Sequence, residues 1–510
     1  MHEIVTLQLG QSSNYLATHF WNAQESYFTY SADEQPLVDH DVHWRPGIGA
    51  DGSETFMPRT VIYDLKGGFG SLKKINALYE VEDQGQSSSL WNGPTVVQRQ
   101  QPIEASAYQR SLEQGLEPPE LTTSTVRYWS DFNRVFFHPR SIVQLNEYEL
   151  NSTIAPFEKW SSGEDLFASL DKEHDLLDRD LRPFAEEADH MQGIQILTTI
   201  DDAWGGFASR YIERLRDEYG KTTIWAWGLQ DSFQGIPREK RLLRLVNKAK
   251  TMVELYKQAS LLIPLALPQT LRGSGVILDA SSQWHTSALL SAAMESVTLP
   301  SRLKDMANRD NLGTISDLLN VHGRQTVANL QMSISKANRV PHSEDIGDKP
   351  ADGLRLDVDF KPSDDLETYH RQNGFSKPHI FSQVLATRGE KPEDDEMTDA
   401  PDDEGDDDLR RRPRREPISR RYKSLLSFPL LDSFPKIFKD EAGNSLEGSM
   451  AVTTSLSTDT ALSGRLRTLR STVMRSIGLE DRETLSNDLA EMADEYHEGW
   501  SSGSDEGEDD

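Results

Sequence analysis

Two adjacent glycines, Gly205 and Gly206, stand between a predicted strand at residues 194–200 and a predicted helix at residues 207–219. Glycines in this position are typical of phosphate-binding loops, because a Cβ atom would keep the backbone away from the anion. The N–H groups at the start of the helix then point at the phosphate, and the helix dipole favours its negative charge. The sequence therefore indicates a candidate anion-binding loop at residues 201–207.

Three side chains in this loop oppose phosphate binding: the carboxylates of Asp201 and Asp202 and the indole of Trp204. A carboxylate about 4 Å from a phosphate charge is repelled by about 4 kcal/mol at an effective dielectric constant near 20. Two such repulsions cancel a micromolar affinity, which is worth about 8 kcal/mol. We favour the interpretation that an aspartate caps the helix in place of a phosphate. The alternative is that an aspartate holds Mg²⁺, which would bridge to the phosphate and reverse the sign of the interaction.

The elements that must position this loop form a βαβ unit over residues 194–228. Its two strands flank an amphipathic helix that ends before Gly220, a residue suited to a helix C-cap. A crossover connection of this length joins parallel strands. The unit is the strongest architectural signal in the sequence and predicts a parallel sheet.

Other segments extend this pattern in both directions. Residues 4–9 alternate as a strand and are followed, after Gly10, by a helical pattern at residues 13–21. Residues 60–65 are rich in β-branched and apolar side chains and lead into a glycine-rich loop. A further strand is predicted at residues 259–267 and a further helix at residues 287–297. These elements together predict an α/β fold class.

The length of 510 residues predicts two or three domains. An apolar segment at residues 425–438 is expected to pack against the body, and an amphipathic helix at residues 460–477 is expected to be the last. The predicted organisation is a nucleotide-binding-type domain at 1–270, a second α/β domain at 271–389, a disordered acidic and basic insertion at 390–422, a C-terminal apolar segment and helix at 423–500, and an acidic tail at 501–510.

The insertion carries charge in two blocks of opposite sign. Residues 390–408 contain twelve acidic residues and one Lys, and seven Arg follow between Arg410 and Arg421. The arginines could form a nuclear-import or nucleic-acid patch. Because the adjacent acids neutralise them, we favour an exposed linker and expect no direct binding of nucleic acid.

Composition excludes several classes of protein. Lys plus Arg is 54 and Asp plus Glu is 83, which gives a net charge of 54 − 83 = −29 and disfavours broad adhesion to DNA or anionic lipid. The chain has no cysteine, so disulfides and cysteine-ligated metals are excluded. The longest apolar run, residues 260–268, is under half of the roughly 20 residues that cross a bilayer. The first sixty residues contain two Arg and no Lys, unlike a cleavable mitochondrial presequence.

Three blocks, in order, are similar to tubulins: residues 3–21, residues 58–65 and residues 192–219. Their spacing, together with Leu-Leu-Asp-Ser-Phe-Pro at residues 430–435, resembles the Misato family of tubulin-like proteins. The resemblance covers roughly the first 300 residues. It implies a tubulin/FtsZ-like, Rossmann-type parallel sheet in the N-terminal domain, followed by a second α/β domain.

The resemblance also implies a set of nucleotide-side residues. The loop after the first strand, with Gly10, Gln11 and Ser12, would contact phosphate or Mg²⁺, although Ser13 stands where tubulins carry Gly and Tyr15 stands where they carry a base-contacting Gln. The other positions that match are Asp64, Asp201, Asp202, Gly205, Gly206 and Asn247. If the site is intact, its cofactor would be GTP with Mg²⁺. We expect instead a degenerate site without a cofactor.

Tubulin-type GTP hydrolysis needs an acidic Asn-x-Asp loop after the central helix, supplied by a neighbouring subunit. Residues 308–310 have these letters, but their flanks do not match, and a chance tripeptide is the favoured interpretation. No spacing typical of a metal hydrolase, a P-loop kinase or a serine hydrolase is present in the sequence. We therefore expect a protein that is not an enzyme.

The resemblance implies a role in mitochondrial distribution and morphology, in the partitioning of mitochondria and in the inheritance of mitochondrial DNA. The leading hypothesis is a non-catalytic scaffold at the mitochondrial periphery and in the cytoplasm, with protein partners such as tubulin, a chaperonin or proteins of the mitochondrial outer surface. Two alternatives stay open: a GTP-binding, self-assembling switch and an accessory factor for tubulin or actin folding or assembly.

Overall fold

The computed structural model describes residues 3–29, 35–48, 54–72, 103–233, 235–268, 271, 275–335, 358–362, 378–389, 417–440, 442–475 and 479–497. The strands are β1 (Glu3–Leu9), β2 (Trp44–Ile48), β3 (Glu54–Pro58), β4 (Thr60–Lys66), β5 (Ile142–Glu149), β6 (Met191–Thr199), β7 (Thr223–Gln230), β8 (Leu261–Ala266), β9 (Asn329–Ser335), β10 (Val358–Asp359), β11 (Ile380–Arg388), β12 (Ile418–Ser424), β13 (Phe428–Leu430) and β14 (Gly448–Asp459). The helices are α1 (Gln11–Glu25), α2 (Ala107–Glu113), α3 (Trp160–His174), α4 (Arg182–Glu186), α5 (Ala203–Glu218), α6 (Arg238–Gln258), α7 (Gln283–Thr298), α8 (Leu312–Leu319), α9 (Ala461–Val473) and α10 (Leu479–Asp494).

The main sheet has six parallel strands in the order β5-β4-β1-β6-β7-β8. Its inner strands β1, β6 and β7 are buried along almost their whole length, as expected of a parallel sheet with both faces covered. Counted by position along the chain, the order is 3-2-1-4-5-6, that of a doubly wound dinucleotide-binding sheet. The predicted α/β class with a parallel sheet is confirmed.

Helices cover both faces of this sheet. On one face, α3, α5 and α6 pack on side chains that include Val5, Val61 and Ile194. On the other face, α1 and α8 pack on side chains that include Ile4, Ile62 and Trp225, and α7 packs on α1. Helix α7 is buried from Ser287 to Thr298 because it also contacts a second sheet on its far side. Most of its buried side chains are apolar or small, and the buried carboxylate of Glu295 is paired with Arg302 and Arg388.

The second sheet has the order β10-β9-β14-β11-β12, with β13 paired to β14. Strand β12 runs parallel to β11, and the other pairs are antiparallel. Strands from the predicted segments 271–389 and 423–500 are neighbours in this sheet, since β14 lies between β9 and β11. The two segments therefore form one layer, although a charged insertion separates them in the sequence.

Two predicted boundaries are corrected. Residues 390–416 and 501–510 lie outside the described residues, but residues 418–422 belong to β12, so the predicted disordered insertion extended too far. The helix predicted at 460–477 is α9, yet it is not the last, because α10 follows and buries Leu485, Leu489 and Met492. Helix α10 was not predicted from the sequence because the charged residues of its exposed face obscure the spacing of its apolar residues.

The apolar segment at residues 425–438 packs as expected, with Phe428, Phe434, Ile437 and Phe438 buried. Within the described residues, none of the helices combines the length and apolar character that a bilayer crossing requires.

Candidate functional site

The candidate site lies at the carboxyl ends of β1 and β6, the two central strands of the main sheet. From β1 the chain proceeds to β4 on one side, and from β6 it proceeds to β7 on the other. Open parallel sheets bind ligands in the crevice at this switch point. Gly10 follows β1, and Asp201 and Asp202 follow β6, so the fold brings the two predicted loops together.

The indole of Trp204 covers Gly10. Gly10 has φ of +84°, and a Cβ atom there would lie 2.4 Å from Trp204 Nε1. Trp204 is 5% exposed, and its ring lies 5.3 Å from that of Phe157 and 5.6 Å from that of Phe207. Gly10 is therefore required by its backbone conformation and by the indole packed on it. The side chain that fills the crevice beside Gly10 comes from the chain itself.

Asp202 caps α5. Its carboxylate accepts a hydrogen bond from the Trp204 backbone N–H at 2.9 Å and another from the Thr199 hydroxyl. Burial raises the pKa of Asp202 to about 6, against the opposing effect of these two donors. The capping interpretation is confirmed for Asp202, which occupies the helix N-terminus where a phosphate would receive the same N–H groups.

Asp201 is buried beside Asp202, at 2% exposure. Arg244 Nη1 lies 3.7 Å from its Oδ2, which accepts no hydrogen bond in the part of the chain that the structure describes. Burial, with Asp231 and Asp202 nearby, raises the pKa of Asp201 well above its ordinary value. Asp201 is therefore a second buried carboxyl group beside the start of α5, in an environment that favours its neutral form.

Gly205 and Gly206 lie inside the first turn of α5 and are buried between helices. A Cβ atom at Gly206 would lie 2.0 Å from the Trp160 carbonyl oxygen of α3, and one at Gly205 would lie 2.2 Å from the Thr251 hydroxyl of α6. On α3, a Cβ at Gly163 would lie 1.7 Å from the Ala203 carbonyl oxygen. The structure thus places the two glycines, predicted as phosphate contacts, in close helix packing: Gly206 meets the backbone of α3, and Gly205 meets the Thr251 side chain of α6.

Asn247 ties this region together from α6. Its amide donates to the Asp201 carbonyl oxygen at 3.0 Å and to the Glu158 carbonyl oxygen at 2.7 Å, and it accepts from the Trp160 N–H at 3.1 Å. Both amide hydrogens are used within the chain. Asn247 is therefore at the predicted site but positions the loops before α3 and α5.

Asp64 forms a second cluster at the end of β4. Its Oδ2 accepts from the Gln11 amide and from Asn14 Nδ2 at 2.7 Å, and its Oδ1 accepts from the Leu65 N–H at 2.8 Å. The Gln11 amide also donates to the Gly68 carbonyl oxygen at 2.7 Å. Burial raises the pKa of Asp64 to about 7 despite these donors. Gln11 and Asp64 are thus brought together and bind each other.

The remaining residues of the first loop differ in placement. Ser12 is half-buried at the start of α1 and Ser13 is fully buried. Tyr15, which stands at the base-contacting position, donates its hydroxyl to the Arg127 carbonyl oxygen at 3.1 Å. Its ring packs against Phe132 at 5.8 Å between centroids. Tyr15 is a core residue of the α1 face.

The tripeptide at residues 308–310 follows the central helix α7, the place where tubulins carry their acidic loop. Asp310 accepts from the Tyr422 hydroxyl at 2.5 Å, and Asn308 accepts from the Lys423 N–H at 2.7 Å. Both side chains therefore bind β12 of the same chain. This engagement agrees with the interpretation that the tripeptide is not an intersubunit catalytic loop.

A triphosphate with Mg²⁺ does not fit the residues at the switch point. The N–H of Trp204 is already bonded to Asp202, the Cα of Gly10 is covered by an indole, and the paired glycines face neighbouring helices. Among the described residues, no group of three His, Asp or Glu side chains is arranged to hold a metal ion.

Three residues of this region were missed by sequence reasoning: Asn14, Arg244 and Thr251. Asn14 lies one turn after Gly10 on α1, so helical spacing could have placed it beside the loop. Arg244 and Thr251 come from α6, about forty residues after the loop that they contact, and no local pattern marks them.

Comparison with known proteins gives two family matches that together span residues 2–303. A model described as the Misato Segment II tubulin-like domain matches residues 2–114, and a model described as the Tubulin domain matches residues 118–303. The chain is 60% identical to the protein named dml-1 of Neurospora crassa and 52% identical to the protein named DML1 of Gibberella zeae, with 100% of both chains covered in each case. It is 33% identical to the protein named dml1 of Schizosaccharomyces pombe, over 59% of this chain and 66% of that protein.

Proposed function

Because this chain belongs to the Misato family of tubulin-like proteins, we propose that it is a non-catalytic scaffold in mitochondrial distribution and inheritance. Its tubulin-like body would present docking surfaces, while its switch-point crevice would bind no guanine nucleotide. The processes that we propose within this role are the partitioning of mitochondria, the maintenance of their morphology and the inheritance of mitochondrial DNA.

One observation carries the non-catalytic part of the proposal: Trp204 and Asp202 occupy the crevice between β1 and β6. The Asp202 carboxylate takes the N–H that a phosphate would use, and the indole lies against Gly10. A nucleotide would have to displace a buried aromatic ring and a helix cap. Each of these costs opposes binding.

The mitochondrial part of the proposal is supported by the family's association with mitochondrial distribution and inheritance. The expected location is the mitochondrial periphery together with the cytoplasm. The expected partners are proteins, with tubulin, a chaperonin and proteins of the mitochondrial outer surface as candidates. Direct contact with mitochondrial DNA is not part of the proposed role.

Isothermal titration calorimetry with GTP, with and without Mg²⁺, tests the non-catalytic part. We expect no binding below millimolar concentrations in either condition, from protein whose folding is verified by circular dichroism. Asp202→Asn is the matched variant, because it removes the charge and keeps an acceptor for the helix cap. Submillimolar binding by the wild type that Asp202→Ala abolishes would overturn the scaffold and establish a nucleotide switch.

Depletion of the protein from cells tests the mitochondrial part. Loss of the protein is expected to cause clumped or unevenly partitioned mitochondria and fewer copies of mitochondrial DNA per cell, and Asp202→Asn protein is expected to restore both. Normal mitochondria after depletion would contradict the role. Co-purification of tubulin or a chaperonin, with mitochondria unchanged, would identify the accessory-factor alternative instead.

A further inference from the structure

Arg59 is a buried cation at the amino end of β4. It stands between β3 and β4 and is 5% exposed. Its Nε and Nη1 atoms are buried and donate to no acceptor, and its guanidinium forms no ion pair with any residue that the structure describes. A buried charge without a partner is costly, because the hydration that it loses on folding is not replaced. Arg59 is therefore a candidate contact for a ligand from outside the chain.

Two carboxylates near Arg59 have other partners. Glu3, at the start of β1, accepts from the His190 N–H at 3.0 Å. Glu187 forms an ion pair with Arg45 at 2.8 Å. Burial lowers the pKa of Arg59 below its ordinary value, against the opposing effect of both carboxylates. Glu3 and Glu187 therefore act on Arg59 from a distance and leave its hydrogen-bond donors unused.

Further buried donors lie near Arg59. The His43 carbonyl oxygen accepts from the Arg59 backbone N–H at 2.8 Å, which holds the two residues side by side. Burial lowers the pKa of His43 well below its ordinary value, so its ring is neutral and carries one N–H. Neither ring nitrogen has a hydrogen-bond partner within the described part of the chain.

Two indoles extend this group of donors. The His43 ring lies 5.8 Å from that of Trp21, which lies 6.0 Å from that of Trp44. Both indole N–H groups are buried and lack an acceptor among the described residues. This region therefore has more unused donors than unused acceptors, a composition suited to an anion.

The charges around Arg59 restrict the kind of anion. Glu3, Glu187 and Asp41 all act electrostatically on Arg59, and they would repel a phosphate with two charges more strongly than a carboxylate with one. A planar carboxylate also matches the guanidinium group and accepts two parallel hydrogen bonds from it. Because only 5% of Arg59 is exposed, the ligand must be a small molecule and not the surface of a folded partner.

We propose that Arg59 binds a small monocarboxylate at the amino end of β4, with the His43 ring beside it. The carboxylate oxygens would accept from the guanidinium, and the ligand would supply the charge that balances Arg59. The site lies at the opposite end of the main sheet from Gly10 and Asp202, so it is separate from the switch-point crevice. A ligand that binds only the folded chain stabilises it, so the concentration of carboxylate would set the stability of the protein. This inference goes beyond the scaffold role.

Thermal unfolding of the full-length chain in sodium acetate tests the site, with sodium chloride at the same ionic strength as the reference. We expect acetate to raise Tm above its value in chloride, with a dependence on concentration that gives a Kd. Arg59→Gln removes the charge and keeps an N–H donor, and it should weaken the Kd for acetate about tenfold or more. Its Tm in chloride should be unchanged or higher, because an unpaired charge has left the interior. Arg110→Gln, the same change at an exposed arginine of α2, should respond to acetate like the wild type.

Three outcomes would overturn the proposal. The first is an equal Tm of the wild type in acetate and in chloride, and the second is an acetate response that Arg59→Gln retains in full. The third is a larger response to inorganic phosphate than to acetate, which would mean that the site selects a phosphate group. If Arg59→Gln does not fold, Arg59→Lys decides, because it keeps the charge and loses the planar guanidinium. An acetate response in Arg59→Lys equal to that of the wild type would then contradict the proposal.

None of these measurements contains GTP, so the proposed function and this inference can fail separately.

Discussion

Helices α1 and α5 begin side by side at the switch point, and their N-termini are closed in different ways. Helix α5 is capped by Asp202, whose carboxylate accepts from the Trp204 N–H at 2.9 Å. Helix α1 begins at Gly10 with no side-chain cap, and the Trp204 indole lies on that glycine. One N-terminus is closed by a negative charge and the other by an apolar ring.

The difference shows two ways in which a chain can occupy a nucleotide-type crevice with its own side chains. An anion at a helix N-terminus satisfies N–H groups, and a carboxylate from the chain does so as well as a phosphate. A ligand also fills volume, and a buried indole replaces that volume. The carboxylate of Asp202 and the indole of Trp204 both come from the segment 202–204. A short stretch of sequence therefore occupies the N-termini of both helices.

Trp204→Ala tests the difference between the two helix N-termini most directly. It removes the indole from the N-terminus of α1 and leaves the Asp202 cap on α5. Loss of a buried indole is expected to lower the free energy of unfolding by about 4 kcal/mol. Urea denaturation measures the change, with Phe136→Ala, at a ring that is 50% exposed, as the control. A loss below about 1 kcal/mol would show that the indole is not packed on Gly10.

Gly206→Ala tests whether the paired glycines serve packing. The new methyl group would lie 2.0 Å from a backbone oxygen of α3, so the two helices must separate, and a loss of about 3 kcal/mol is expected. Gly220→Ala, whose Cβ would lie 3.4 Å from the nearest atom, is the matched control and should be nearly neutral.

Gly205→Ala tests the packing role at the second glycine. Its new Cβ atom would lie 2.2 Å from the Thr251 side chain, not from backbone. Adding Thr251→Ala should restore part of the lost stability. If Gly206→Ala left the free energy of unfolding unchanged, α3 and α5 would not approach each other as closely as described.

The pH dependence of stability tests the cluster beside α1. The pKa of Asp64 is raised to about 7 in the folded state, so the folded protein binds a proton more tightly than the unfolded chain. The free energy of unfolding should therefore rise as the pH falls from about 7 toward the ordinary carboxyl value near 4, by up to about 1.4 kcal/mol per pH unit.

Asp64→Asn removes this titration, so the stability difference between the wild type and the variant should grow in favour of the wild type on acidification. Paired urea titrations between pH 8 and pH 5 measure it. A difference that shrinks on acidification would mean that the donors from Gln11 and Asn14 hold Asp64 ionised.

Asp202→Ala has the smallest expected effect and tests the α5 side. Loss of the cap should lower the free energy of unfolding by about 1 kcal/mol, and Asp202→Asn should lose less because its carbonyl oxygen can still accept from Trp204. Thermal unfolding of the three proteins compares them. Equal losses in both variants would indicate that the charge of Asp202, and not its cap, contributes the stability.

Much of the main sheet could be predicted from sequence, and much of the site could not. The βαβ unit at residues 194–228 was recognisable because its buried strands and amphipathic helix have strong periodic patterns. The cap by Asp202 was predictable because capping is local. The contact between Trp204 and Gly10 was not, since it joins residues almost two hundred positions apart. The packing role of Gly205 and Gly206 was missed for the same reason: their neighbours lie on α3 and α6.

A crystal structure of the protein grown with GTP and Mg²⁺ tests the central claim most directly. We predict that the Trp204 indole lies on Gly10, that the Asp202 carboxylate accepts from the Trp204 N–H, and that no nucleotide density is present between β1 and β6. Density for a guanine nucleotide in that crevice, with the indole displaced, would contradict it.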